Sequence, residues 1–326
     1  MIITRTPLRV SLVGGGTDFP NYFENFNSNI LTTAIDKYIY ISLNWNTLGN
    51  FTKLSYSKNE IIHDNAKIDH PMIRILFQKY NIENVDLHVS SDIPAGTGLG
   101  SSSSFTVGLI RTIHGFLGIK KINEEILDEA LEIEFTNRLS FLGLQDFIPP
   151  IYGGVIHISL GKSVRIIDNQ FDSSEIEEIL RNRSCLVPVG SPRSARSILH
   201  NFNQNIESNF VNLHKINEIS TSLIHSLKNS SPFNLGKSIN DSWEVKKLTL
   251  NQDKNRDVME YEKYLKSNGV ENLKLCGAGE SGYYLCIFST PELLALFQKK
   301  NQNSMRFNLD KIGSRVIYNS DTPFSN

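Results

Sequence analysis

The sequence predicts an α+β protein of two domains, on three observations. The chain has 326 residues, more than one hydrophobic core usually serves. Strand-type runs crowd its first half, while helical patterns fill the second around one strand–turn–strand pair, "LKLCGAGESGYYLCIF". The strands do not alternate regularly with helices, so a doubly wound nucleotide-binding sheet is disfavoured. The boundary is expected in or near the polar interval "DNQFDSSEIEEILRNRS", dividing 1–183 from 184–326.

Element by element, Ile2–Thr4 and Leu8–Val13 are short apolar runs, the second ended by three glycines, Gly14 to Gly16. Ile30–Ile35 and Tyr38–Leu43 are rich in β-branched and aromatic residues, as strands are. Pro71 opens a helix through Tyr80, since proline's missing N–H costs little in a first turn. Val85, Leu87 and Val89 alternate with polar residues and predict a strand. After it the period changes: Phe105, Leu109, Ile113 and Leu117 recur every fourth residue, one face of a helix. Asn123 caps a further helix to about Arg138. Strands return near Tyr152–Ser159, Val164–Ile167 and Cys185–Gly190. Beyond Arg193 the chain reads as helical to Gly269, then the strand pair, a helix from Pro291 and a last strand near Ser314–Tyr318.

Composition narrows the function. Apolar residues are 40% of the chain, enough for sizeable cores. Lys plus Arg number 33 against 34 for Asp plus Glu, with no long block of one sign, so no nucleic-acid footprint is expected. Three cysteines without a C-x-x-C pair argue against a disulfide framework or structural zinc. With no signal core at the N-terminus and no run approaching a membrane span, a cytoplasmic protein without membrane contact is expected.

The segment "PAGTGLGSSSS" (Pro94 to Ser104) lies between the alternating strand and the four-spaced helix, so it is not an interdomain linker. Glycines let a backbone approach a ligand, serines add donors, and the helix start presents unpaired N–H groups to an anion. No Lys follows the last glycine and the spacing is G-x-G-x-G, so neither the Walker nor the Rossmann pattern applies. A tight turn with a serine cap remains the plain alternative. In the helix from Asn123, Ala130, Leu131 and Glu134 point within about 60° of Leu127, whereas Glu132 points away. A carboxylate on an apolar face needs a cation or donors. Magnesium would serve, and so would Arg138 four residues on.

"PAGTGLGSSSSFTVGLI" closely resembles the central motif of the GHMP kinases, Pro-x-x-x-Gly-Leu-Gly-Ser-Ser. "TPLRVSLVGGGTDFPNYF" (Thr6 to Phe23) resembles their first motif, and Gly277 and Gly279 match the Gly-x-Gly of their third. The resemblance covers nearly the whole chain and is strongest to the heptose kinase branch, in "SYSKNEIIHDNAKIDHPMIRILF", "GLQDF" and "SWEVKKLTL". It implies an N-terminal domain like ribosomal protein S5 and a ferredoxin-like C-terminal domain, with the last strand returning to the first domain. It leaves room for a homodimer.

The implied reaction is phosphoryl transfer from ATP, with Mg2+, to the C1 hydroxyl of a heptose 7-phosphate, towards nucleotide-activated heptose for surface polysaccharide. The resemblance assigns the ATP phosphates to Pro94, Gly96, Gly98, Leu99, Gly100, Ser101, Ser102 and Ser103, and magnesium to Ser102 and Glu134. Asp146 becomes the base and Arg9 its charge partner. Gly16, Thr17, Asp18, Gly277 and Gly279 line the sugar site, and Arg193 is assigned the substrate phosphate. On residue pattern alone, Arg9 could equally lie on a solvated strand face, Asp146 could cap a turn, and Arg193 could be a solvated helix-start residue. "DFIPPIYGG" and the Glu280–Ser281 pair depart from the branch and put the exact sugar in doubt. The rival readings are a kinase of another sugar and a non-catalytic sugar- and ATP-binding regulator.

Overall fold

Strand β1 (Ile2–Val13) runs antiparallel to β2 (Ser28–Trp45) over nearly its whole length. The computed structural model describes residues 1–47, 49–136, 143–162, 164–190, 207–250, 256–277, 279 and 281–320. Arg193, Glu280 and Arg138 lie outside them. The two pairs of short strands expected in this region are in fact two long, bent strands. Their register shifts where Pro7 and Leu8 face Tyr38 and Ile35. Pro7 has no N–H to give the ladder, and the extra residues Asp36 and Lys37 bulge, so the pair bends without ending.

A single turn, α1 (Pro20–Phe23), links them. Next come β3 (Thr52–Ser55) and β4 (Asn59–Ile62), a hairpin too short and too polar to show a period in the sequence. Helix α2 (Pro71–Lys79) leads to β5 (Val85–Ser91), and α3 (Ser101–Leu117) and α4 (Asn123–Thr136) follow. The strand expected from Tyr152 starts later. Tyr152 instead closes α5 (Ile148–Tyr152), and Gly153 and Gly154, with φ +72° and +71°, turn the chain into β6 (Val155–Gly161). Strand β7 (Val164–Asp168), helix α6 (Ser174–Asn182) and β8 (Ser184–Val189) complete this stretch.

The remaining elements are α7 (Phe210–Lys228), α8 (Leu235–Lys247), α9 (Arg256–Ser267), β9 (Asn272–Leu275), β10 (Gly282–Ile287), α10 (Pro291–Lys300) and β11 (Arg315–Asn319). The large sheet has the order β11-β1-β2-β5-β3-β4, with β6 on the first half of β2 and β7 on β6. The small sheet is β8-β10-β9. The fold is therefore α+β, as expected. One core runs through both halves: Val10, Ile41 and Ile110 share a cluster with Leu186, Leu223, Leu235 and Leu285. A second cluster, around Trp243, Tyr284 and Phe288, lies under the small sheet. Among the described residues no helix is long and apolar enough to cross a membrane.

One feature of this sheet positions everything that follows. Strand β11 covers the outer edge of β1 only from Ile2 to Arg5. Beyond that the edge is taken up by other segments. Ser104 Oγ donates to the Pro7 carbonyl at 2.8 Å, Arg9 N–H donates to the Leu99 carbonyl at 3.0 Å, and Lys274 Nζ donates to the Leu12 carbonyl at 3.0 Å. The glycine loop and the small sheet thus meet along one strand. They also touch each other: a Cβ on Gly98 would lie 2.3 Å from the Cys276 carbonyl oxygen, and one on Gly277 would lie 2.4 Å from Gly98 Cα. Both glycines have positive φ, +77° and +82°. Gly98→Ala is therefore expected to cost about 2 kcal/mol or more, from strain plus backbone overlap. Urea unfolding should show the loss, and an unchanged midpoint would contradict this close approach.

Candidate active site

The glycine loop leaves β5 and enters α3 through Gly96, Gly98 and Gly100, each at φ +77°. A Cβ on Gly100 would meet Arg9 Cγ at 2.8 Å, so glycine there admits the arginine. Gly100 also caps α3 without a side-chain acceptor, so the first N–H groups of the helix meet no capping side chain. The four serines that follow differ. Ser102 is exposed, Ser103 is buried with no hydrogen-bond partner for its hydroxyl among the described residues, and Ser104 anchors the loop to β1. Thr97 ties the loop to itself through the Pro94 carbonyl at 2.9 Å.

These groups line a cavity of about 920 Å³. It brings together Arg9, Gly16, Asp18, Pro94, Gly96, Gly98, Gly100, Ser101, Ser102, Ser103, Glu134, Asp146 and Gly277. Three residues expected in the site do not line it. Leu99 is fully buried in the core and contributes its carbonyl to Arg9. Thr17 is buried and donates its hydroxyl to the Gly14 carbonyl at 2.8 Å, holding the turn. Gly279 packs towards Leu250, 3.0 Å from where its Cβ would be.

Arg9 is the centre of the arrangement. Its Nε lies 2.9 Å and its NH2 2.7 Å from the same oxygen, Oδ1 of Asp146, while NH1 donates to the Gly98 carbonyl at 2.7 Å. The guanidinium is buried, so the solvated strand face is excluded for it. Asp146 sits in a short turn, Leu144–Asp146, directly before α5. Its neighbour Gln145 donates from Nε2 to Asp18 Oδ1 at 3.1 Å, and Gly16 N–H donates to the same oxygen at 3.1 Å. Gly143 is required here, because its Cβ would fall 1.5 Å from Asp18 Oδ2. Burial pushes the Asp18 carboxyl up to about 6, and the Asp146 charge adds to it, against the backbone N–H groups of Gly16 and Gln145.

Glu134 is buried on the inner face of α4 and accepts from Thr106 Oγ1 at 3.0 Å. With Ser102 it offers one carboxylate and one hydroxyl to the cavity. Among the described residues no group of three or more His, Cys, Asp or Glu could hold a metal by itself. That donor set fits Mg2+, a hard cation that keeps waters and phosphate oxygens and uses few protein ligands. Sequence analysis gives no role to several other lining groups. Tyr56, His70 and Phe105 form an aromatic end, with ring centroids 5.3 Å apart for Tyr56–His70 and 4.9 Å for His70–Phe105. Lys246 and Lys274 enter from α8 and β9. Their coming together is not visible in the sequence, since they come from segments far apart in the chain.

Residues 53–154 match the family model of the GHMP kinases N-terminal domain. A curated relative, the D-glycero-alpha-D-manno-heptose 7-phosphate kinase of Campylobacter jejuni, is 27% identical over 299 residues, 86% of this chain and 88% of its own. The matched segment of the chain is thus similar to the GHMP kinase N-terminal domain. A homoserine kinase of Staphylococcus aureus is 35% identical over 135 residues, 38% of this chain and 40% of its own. The crystal structure of a D-glycero-D-manno-heptose 1-phosphate kinase from Bacteroides thetaiotaomicron superposes with a TM-score of 0.77 at 19% identity. That comparison covers 98% of this chain and 100% of the other. The chain thus has the fold of these kinases along its length, and its relatives support an ATP-dependent kinase.

Asp18 makes the kinase's stability depend on pH. Its folded carboxyl titrates near 6 against 3.8 in the unfolded chain, so the fold favours the neutral acid. Its contribution to stability is present below about pH 4 and is lost as pH rises to about 6, by up to about 3 kcal/mol. Asp18→Asn removes this titration. The difference in unfolding free energy between wild type and variant should shift in favour of the variant between pH 4 and 6. A pH-independent difference would show that Asp18 is not held as the acid.

Proposed function

We propose that this kinase transfers the γ-phosphoryl group of ATP to a hydroxyl of a sugar phosphate. D-glycero-D-manno-heptose 7-phosphate is the acceptor, with its C1 hydroxyl as nucleophile. The observation that carries the reading is the Arg9 guanidinium, which spans the Asp146 carboxylate and the Gly98 carbonyl of the glycine loop. One cation therefore joins a candidate base to a phosphate-binding loop, as in-line transfer to a hydroxyl requires.

The glycine loop and the start of α3 would bind the ATP phosphates through backbone N–H groups, with the Ser101 and Ser103 hydroxyls beside them. The aromatic end of Tyr56, His70 and Phe105 is suited to a flat base. Ser102 and Glu134 would hold Mg2+, which when bound neutralises charge on the phosphate oxygens. Asp146 would take the proton of the attacking hydroxyl while Arg9 fixes that carboxylate and offsets charge developing at the transferred group. An anomeric hydroxyl is more acidic than an ordinary alcohol, so a carboxylate suffices. Asp18, held by Gln145 and Gly16, would orient the sugar hydroxyls.

The Campylobacter relative supports the heptose 7-phosphate acceptor, and the Bacteroides structure carries a name that places the phosphate at C1 instead. Both sugars, their unphosphorylated heptose and other sugar phosphates should therefore be offered with ATP and Mg2+ while ADP formation is followed. Turnover is expected with heptose 7-phosphate, and no turnover with any acceptor despite ATP binding would leave the regulator reading in its place. Asp146→Asn is expected to lower kcat by about 100-fold or more while ATP affinity persists. Undiminished turnover would remove Asp146 as the base. Ser102→Ala should raise the Mg2+ concentration needed for half-maximal activity, and an unchanged requirement would take Ser102 out of the metal site.

A further inference from the structure

Two lysines in the cavity have no counterpart in the roles above. Lys274 is almost wholly buried, 3% exposed, and lies mid-strand on β9 between Leu273 and Leu275. Lys246 is half-buried on the last turn of α8. Each gives one hydrogen bond to a backbone carbonyl: Lys274 to Leu12 at 3.0 Å, Lys246 to Gly277 at 2.7 Å. Among the described residues neither has a carboxylate in ion-pair contact. The next lysine, Lys247, by contrast, pairs with Glu244 and Glu262.

An ammonium buried without a carboxylate is costly, and proteins seldom keep one without a ligand to meet it. The carboxylate that faces both lysines is Asp18, and its oxygens are already occupied by Gly16 and Gln145. Asp146 is engaged by Arg9. Burial pulls the Lys274 ammonium down to about 7, with Lys246 next in effect. Burial also pulls Lys246 down, with Arg9 adding to this and Asp18 opposing it. The two lysines share one wall, and an anion bound against it would restore their charged form. That wall is the small-sheet side of the cavity, and Lys274 is tied to β1 two residues before the Gly14–Asp18 turn.

We propose that Lys246 and Lys274 form the subsite that receives the phosphate monoester already present on the acceptor. Two ammonium groups match the two charges of a phosphate dianion, and each retains N–H donors beyond its carbonyl bond. The subsite would make the kinase selective for phosphorylated over free sugars, a task assigned to Arg193 in the sequence. The inference rests on the sugar-phosphate reading, and its test separates the two.

Lys274→Met and Lys246→Met keep most of the side-chain volume and remove the charge. Calorimetric titrations on the full chain, saturated with Mg2+ and a non-hydrolysable ATP analogue, should use three probes: heptose 7-phosphate, unphosphorylated heptose and inorganic phosphate. In each variant the Kd for heptose 7-phosphate is expected to rise at least 10-fold. The Kd values for the ATP analogue and for free heptose should stay within about twofold, which also reports that the variants are folded. Equal sugar-phosphate affinity in wild type and both variants, or loss of the ATP analogue in step with the sugar phosphate, would overturn the subsite. If wild type does not bind heptose 7-phosphate, the acceptor reading fails, and inorganic phosphate then decides the subsite. Weaker phosphate binding in both variants supports it, and unchanged or absent phosphate binding overturns it. Should either methionine variant fail to bind the ATP analogue, Lys→Gln at the same position takes its place under the same criteria.

Discussion

The architecture of this kinase depends on the outer edge of β1. A strand edge presents unpaired N–H and C=O groups, which must be met. Here β11 meets the first four residues, and the remainder is met by Ser104, the Leu99 carbonyl and Lys274. The glycine loop and β9 are therefore hydrogen-bonded to the strand that carries Arg9. The guanidinium reaches both Asp146 and the loop because its backbone is pinned between them. A buried ion pair of this kind is weak evidence for stability, since desolvation offsets much of the attraction. Its value lies in fixing the relative position of a carboxylate and the glycine loop.

The same edge explains the demand for glycine. Gly98 and Gly277 bring loop and small sheet into backbone contact, and Gly100 leaves room for the Arg9 stem. Gly143 lets Asp18 lie against the turn that bears Gln145 and Asp146. Each of these positions would place a Cβ inside another group, so the cavity is shaped by backbone approach as much as by side chains. The charges around it are segregated: Asp146 is matched by Arg9, Asp18 is held by neutral donors, and among the described residues the two lysines have no carboxylate in ion-pair contact.

Much of this was legible in the chain. The period change after Ser91 placed the glycine loop at a helix start, because strand and helix repeat differently. The angular position of Glu134 predicted its burial, because a helix carries its faces in its sequence. Two long strands show as four short runs because Pro7 and the Asp36–Lys37 bulge interrupt the apolar pattern without ending the hydrogen bonding. The β3–β4 hairpin leaves no mark in the sequence because four-residue strands are shorter than any window that shows a period.

Periodicity and motif are properties of neighbouring residues, and these the sequence determined: the loop, the helix that follows it, and the glutamate on the inner face of the next helix. Which of two adjacent lysines faces the cavity is a different kind of fact. Lys246 and Lys247 have the same side chain and are neighbours in the sequence, yet one lines the site and the other joins Glu244 and Glu262. The docking of α8 against β9 and the position of β9 along β1 decide between them. Those placements depend on contacts between segments more than two hundred residues apart, such as Lys274 with Leu12. No local pattern encodes them.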